Sequence, residues 1–218
     1  MYATTQNDKY AQAANIECSN SITTVAENLL VAASPILAKI KPSALAVISS
    51  EHKSFWIESE KQIFSHTGLK SLILKRTSKS YSILLYNPVL LSQILSSPQS
   101  KKILTSFGYP DTDNLSLILS YLRIRHSFID IEISCRKTFP HEIGLFLGYP
   151  IEDVESFIAN CGKNYKCCKY WKVYHNEKKA HYTFACIDKA KAYAKHLISN
   201  QIPIHLAANL LSEMYIPQ

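Results

Sequence analysis

Apolar positions along this chain change period several times, and each change marks an element. Residues 24–40 are apolar enough for a helix, with an interruption expected near Pro35 and continuation barred by Pro42. The run 44–49 predicts a first strand. Residues 51–66 place Phe55, Ile57, Ile63 and Phe64 in a helix. Two β-rich runs, 69–75 and 80–86, are joined by the short segment 76–79, which suits a hairpin. Asn87-Pro88 and Ser97-Pro98 each supply an N-cap followed by proline at the first helical position, predicting helices over 88–96 and 98–107. Leu115, Ile118, Leu119 and Leu122 keep the helical period through 113–128.

The second half echoes the first. Phe107-Gly108-Tyr109-Pro110 recurs as Leu147-Gly148-Tyr149-Pro150, each time before an acidic helix start. Glycine can end the outgoing helix in the left-handed region, and the acids suit the next helix's N-terminal dipole. The repeat therefore reads as a structural corner used twice. Residues 151–161 form a helix, and 169–174 read as a strand with Trp171 and Val173 on one face and Tyr170, Lys172 and Tyr174 on the other. Residues 176–199 carry a continuous apolar stripe through Ala180, Phe184, Ile187, Ala190 and Ala194. A short helix follows Pro203. The expected fold is α+β, a small antiparallel or mixed sheet of about four strands covered by roughly seven or eight helices. Residues 1–22 read as a flexible N-terminal tail and 23–218 as one domain, a division compatible with lobes at 23–130 and 135–218.

Composition narrows the class. The chain has 218 residues, 47% hydrophobic and 19% charged, enough apolar mass for a packed core and too little charge for general disorder. No apolar stretch approaches the roughly 20 residues of a spanning helix, and the polar start lacks a secretory h-region. Six cysteines in such a chain are expected to be reduced thiols, which points to a cytoplasmic protein without a membrane partner. Five glycines cannot write a dinucleotide fingerprint or a P-loop. Nine lysines between residues 163 and 195 face only Glu177 and Asp188, so this segment holds the whole net charge of +7. Such a field attracts anions, although a solvated lysine-rich helix face would look the same.

Three groups could carry chemistry. His141 and Glu142 stand at a short helix start after Pro140, where free N–H groups and the dipole could bind an anion and keep the histidine neutral; helix capping is the plainer reading. No second histidine completes a zinc-protease motif, and no metal is expected. Cys161, Cys167 and Cys168 lack zinc-ligand spacing, but Lys166 and Lys169 flank Cys167 and would favour its thiolate. Lys163, Lys166, Tyr170, Lys172 and Tyr174 interleave cations and aromatics, so a Tyr-Lys-Tyr face could stack a base while lysine meets phosphate. The alternative is that this face is core.

The run from Phe139-Pro140-His141-Glu142-Ile143-Gly144 through Gly148-Tyr149-Pro150, Gly162-Lys163-Asn164-Tyr165-Lys166-Cys167 and Tyr170-Trp171-Lys172-Val173-Tyr174 resembles the core signature of a bacterial family, domain of unknown function 3793. Pro35, Leu37-Ala38, Lys41-Pro42-Ser43 and Tyr86-Asn87-Pro88 are similar to that family's first half. The resemblance covers roughly residues 25–205 and implies an intracellular bacterial protein, with no activity, substrate or cofactor attached. Members often carry a cysteine near the position of Ala33, which this chain lacks.

The leading expectation is a module binding a phosphate-bearing small molecule or nucleic acid through 139–174, using His141, Gly144, Lys163, Lys166, Tyr170, Lys172 and Tyr174. The rivals are an enzyme using His141, Glu142 and Cys167, with or without a metal, and an interaction scaffold in which the motif is structural. No cofactor can be assigned. A concave pocket at His141 would favour the enzyme, an exposed Tyr-Lys-Tyr sheet nucleic acid, and burial of the motif the scaffold.

Overall fold

Leu45 and Ala46 are neighbours on one strand, yet they belong to two different apolar cores. That alternation organises the protein. The computed structural model describes residues 14–15, 22–65, 67–127 and 140–214. β2 (Ser43–Ser49) and β3 (Lys70–Arg76) both pair antiparallel with β4 (Ser80–Tyr86). β1 (Ala14–Asn15) adds a short parallel pairing to β2, giving a mixed sheet in the order β1-β2-β4-β3. The remaining positions of the expected tail, before residue 22, lie outside the described residues.

Successive strand side chains point to opposite faces, and here both faces are covered. Ala46, Ile48, Ile83 and Leu85 meet α1 (Ile22–Leu37), α2 (Lys53–Phe64), the end of α8 (Glu177–Ser199) and α9 (Ile204–Ser212). Leu45, Leu84 and Tyr86 meet α3 (Pro88–Leu95), α4 (Pro98–Ser106), α5 (Leu115–Ser127), α6 (Ile143–Phe146) and α7 (Ile151–Ala159). Double coverage explains why β4 reads as a near-continuous apolar run. The fold is α+β with nine α-helices among the described residues, the four-residue α6 raising the count above expectation. Asn87 and Ser97 cap α3 and α4 through their side chains, as expected.

Two expectations need correction. Helix α1 runs through Pro35 instead of breaking near it. Proline deprives the Val31 carbonyl of its helical donor, and the Ser34 hydroxyl supplies one instead at 2.9 Å. The helix ends beyond it, where Lys39 adopts φ 57° and the N–H groups of Ile40 and Lys41 turn back to the Pro35 carbonyl. Second, 169–174 is not a sheet strand. β5 (Cys167–Cys168) pairs antiparallel with β6 (Lys172–Val173) as a separate ribbon, and its turn consumes the residues between. Trp171, Lys172, Val173 and Tyr174 are all buried, so the ribbon has no exposed Tyr-Lys-Tyr face. Within α2, Ile57 is exposed while Ile63 and Phe64 are core, and the Phe55 side chain lies outside the described set.

The two glycine corners share one geometry. Gly108 and Tyr109 donate to Thr105 and Leu104, and Gly148 and Tyr149 donate in the same pattern to Leu145 and Gly144. Both glycines are left-handed, at φ 84° and 71°. Their surroundings differ: a Cβ on Gly148 would stand 2.3 Å from Pro42 Cδ, whereas one on Gly108 meets nothing within 4 Å. Gly108→Ala should therefore cost about 1–2 kcal/mol, the left-handed strain alone. Gly148→Ala should cost roughly 3 kcal/mol or more, because Pro42 must also move. Equal losses in denaturant melts would mean that the 148 corner does not seat Pro42 as described.

Candidate functional site

A buried carboxylate builds the site. Asp153 on α7 is 3% exposed. Its Oδ2 accepts from Trp171 Nε1 at 2.8 Å, and its Oδ1 accepts from the backbone N–H groups of Tyr174 and His175 at 2.9 and 3.0 Å. Three donors at one carboxylate offset its desolvation and pin the ribbon to α7. Trp171 is thereby held with its ring stacked on Tyr149, centroids 5.3 Å apart, and edge-on to Phe184 at 4.5 Å.

Tyr149 and Tyr170 form the shared wall of two small clefts. The first, about 50 Å³, is lined by His141, Gly144, Phe157, Cys168, Lys169 and Lys172 among others. The second, about 40 Å³, has apolar walls from Ala32, Pro35, Leu45 and Ile187, into which Lys41 and Lys191 project. Lys41 Nζ lies 5.3 Å from the Tyr149 ring centre, and Lys191 Nζ lies 4.6 Å from that of Tyr170. These are cation–π distances. Among the described residues no carboxylate pairs with either lysine. Burial, reinforced by the charge of Lys191, lowers the pKa of Lys41 to about 8. Burial also lowers that of Lys191, but nearby Asp188 opposes the shift. Asp188 itself is engaged by Lys169 at 2.5 Å and by the Tyr170 hydroxyl at 2.7 Å.

The expected site residues divide. His141, Gly144, Tyr170 and Lys172 line the first cleft; Glu142, Lys163, Lys166, Cys167 and Tyr174 do not. The start of α6 is not an open anion site: Ile143, Gly144 and Leu145 donate their N–H groups to Pro140, His141 and Glu142. Burial lowers the pKa of His141 against the charge of Glu142, and its ring packs edge-on against Phe157 at 5.2 Å. A Cβ on Gly144 would approach Val154 Cγ2 to 2.9 Å, so this glycine serves close packing of α6 on α7. Glu142 caps nothing. It is fully buried, and its Oε1 accepts from Arg125 Nε and from the Tyr109 hydroxyl. Burial and the Glu177 charge raise the Cys167 pKa against the pull of Lys166, the reverse of an activated thiolate. Lys172 is 8% exposed, donates to the Gly162 carbonyl at 2.5 Å and lies 4.5 Å from the Tyr165 ring centre. Lys166 donates to the His175 carbonyl. Cys161, Cys167, Cys168 and Cys186 are free thiols; Cys18 and Cys135 lie outside the described residues. No group of metal-ligating side chains occurs among the described residues.

The sequence reasoning missed Lys41, Tyr149, Asp153 and Lys191 as site builders. Lys191 in particular had the look of an ordinary solvated helix lysine.

The sequence profile of the protein family of unknown function DUF3793 matches residues 29–207, which include both clefts and the Asp153 clasp. The chain belongs to DUF3793. No curated protein and no solved structure matches it. Among the described residues of this DUF3793 protein, no helix is long and apolar enough to cross a membrane.

Lys41 makes a pH prediction. Near neutral pH it is protonated in both the native and unfolded chain, and the native state bears the full cost of burying the charge. As pH rises from about 8 toward the ordinary lysine value of 10.5, the native state sheds its proton first and the cost fades. Lys41→Met should raise ligand-free stability near pH 7 by roughly 1–2 kcal/mol, allowing for partial exposure. That advantage should shrink steadily between about pH 8 and 10. A gain that stays constant over this range, or no gain at all, would show that Lys41 is not desolvated in the cleft.

Proposed function

We propose that this DUF3793 protein binds a small anion, a carboxylate- or phosphate-bearing molecule, in the paired clefts around Tyr149 and Tyr170. One observation carries the reading: Lys41, beyond α1, and Lys191, on α8, line one apolar cleft, neither forms a salt bridge among the described residues, and Asp188, already engaged by Lys169 and Tyr170, only partly supports Lys191. Two like charges placed together at partial burial cost stability, and an anion between them would offset both the repulsion and the desolvation. The aromatic wall adds flat contact surface for a ligand's apolar part. The anion would then be held by a lysine pair split between the chain's two halves and not by the 139–174 lysines, with His141, Gly144, Tyr170 and Lys172 lining the adjoining cleft.

Nucleic acid is the weaker reading. Clefts of about 50 and 40 Å³ suit a few water-sized groups, not a stacked base. Tyr174 is buried, and Lys169 and Lys191 lie over the Tyr170 ring at 5.8 and 4.6 Å from its centre, where a stacked base would have to sit.

The test compares thermal stabilisation by inorganic phosphate, sulfate and small carboxylates with that by chloride at equal ionic strength. The multivalent anions and carboxylates should stabilise more. Lys41→Met or Lys191→Met should remove most of that gain, whereas Lys163→Met with Lys166→Met should leave it, although the second variant loses more net charge. Equal loss in both sets would reduce the effect to a diffuse field and sink the binding-site claim. Tight duplex binding that falls with salt at a log–log slope of about −0.9 per phosphate, and that needs Lys163 and Lys166, would replace it with the nucleic-acid reading.

A further inference from the structure

The two cleft lysines are not equivalent. Lys191 sits on α8, where burial lowers its pKa but Asp188 offsets part of that shift. Lys41 has no such neighbour: its backbone N–H is tied to the Pro35 carbonyl, and its side chain meets apolar walls and the Tyr149 ring. A desolvated lysine beside a second cation is the arrangement that turns an ammonium into an amine nucleophile. The same arrangement assigns the roles, with the cation supported by Asp188 holding an anion and the more readily deprotonated one supplying the amine. The other nucleophile suggested by the sequence is worse placed, since Cys167 lies outside the clefts and burial raises its pKa.

We infer that the Lys41 ε-amine forms an imine with the carbonyl carbon of a small oxo acid whose carboxylate is held by Lys191. The inference rests on the anion-binding reading and adds a reaction class to it. In the step, the Nζ lone pair forms a C–N bond as the carbonyl π pair moves to oxygen. A proton passes from nitrogen to that oxygen to give a carbinolamine. Loss of the oxygen as water leaves the imine, so amine plus oxo acid becomes imine plus one water with no net oxidation or reduction. The cleft's small volume, about 40 Å³, selects short oxo acids over long ones. Its apolar walls keep Lys41 neutral more often than a lysine in water, where the ordinary pKa of about 10.4 leaves almost no free amine at neutral pH.

The full chain is incubated with pyruvate or glyoxylate and sodium cyanoborohydride near neutral pH, and modified lysines are mapped by mass spectrometry after digestion. The hydride reduces the imine carbon to a stable secondary amine at the lysine that reacted. Lys41 should carry at least about tenfold more label than exposed Lys163 or Lys189, since each unit of pKa depression is worth a factor of about ten in free amine. Lys191→Met should cut labelling at Lys41 several-fold, and Lys189→Met should not. Acetone, which lacks the carboxylate, should label Lys41 far less than pyruvate does. Label spread evenly over exposed lysines, or equal labelling of Lys41 by acetone and pyruvate, would overturn the proposal. Stabilisation by unreactive phosphate is scored separately and without reductant. If that stabilisation persists while Lys41 takes no label, the imine chemistry fails and the anion site stands.

Discussion

The site hangs on the carboxylate of Asp153. A carboxylate that is 3% exposed would be costly alone, and here it is satisfied by one indole and two backbone donors. Because two of those donors are backbone groups of the ribbon's outgoing limb, the contact fixes the path of the chain as well as a side chain. Held there, Trp171 stacks on Tyr149, and Tyr149 becomes the partition between the clefts. Gly148, the residue before Tyr149, itself lies close against Pro42, the residue next to Lys41. One buried charge thus connects α7, the ribbon, the second glycine corner and the loop that carries Lys41.

Much of the fold was legible because it follows local rules. Asn87-Pro88 and Ser97-Pro98 announced α3 and α4, since capping and proline geometry are decided within one turn. The apolar stripe of α8 was equally plain, with Phe184, Ile187, Ala190 and Ala194 all buried. The failures were non-local. Alternation in 169–174 suggested a strand with two distinct faces, but a short ribbon wedged between α7 and α8 buries both, and a period of two says nothing about what lies beyond each face. Pro35 suggested a break, but a neighbouring serine hydroxyl took over the stranded carbonyl.

The candidate site was legible in part. His141, Gly144, Tyr170 and Lys172 do gather at one cleft, which follows from the compact spacing of the 139–174 motif. Glu142, one of the motif's sharpest candidates, is instead buried and paired with the half-buried Arg125 on α5, a contact that no spacing within the motif could reveal. Lys41 lay in plain view in Lys41-Pro42-Ser43, where it counted only toward the family resemblance. Its partner is 150 residues away on α8, and no local pattern links them.

The density of positive charge is therefore a poor guide to which lysines share a cleft. The segment 163–195 holds the entire excess of nine lysines over two acids, but Lys166 is committed to a backbone carbonyl, Lys169 to Asp188, and Lys172 to Gly162. Lysines with such partners, or open to water, are screened and contribute mainly to the general field. A lysine with no salt bridge among the described residues, whose pKa burial lowers to about 8, lies outside that segment, in a part of the chain whose formal charge balances. Net charge counts lysines equally, whereas chemistry depends on the difference between a charge in water and one confined by Ala32, Pro35 and Leu45. A binding or reactive lysine is for this reason better sought by asking which cation has lost its water than by asking where cations are most numerous.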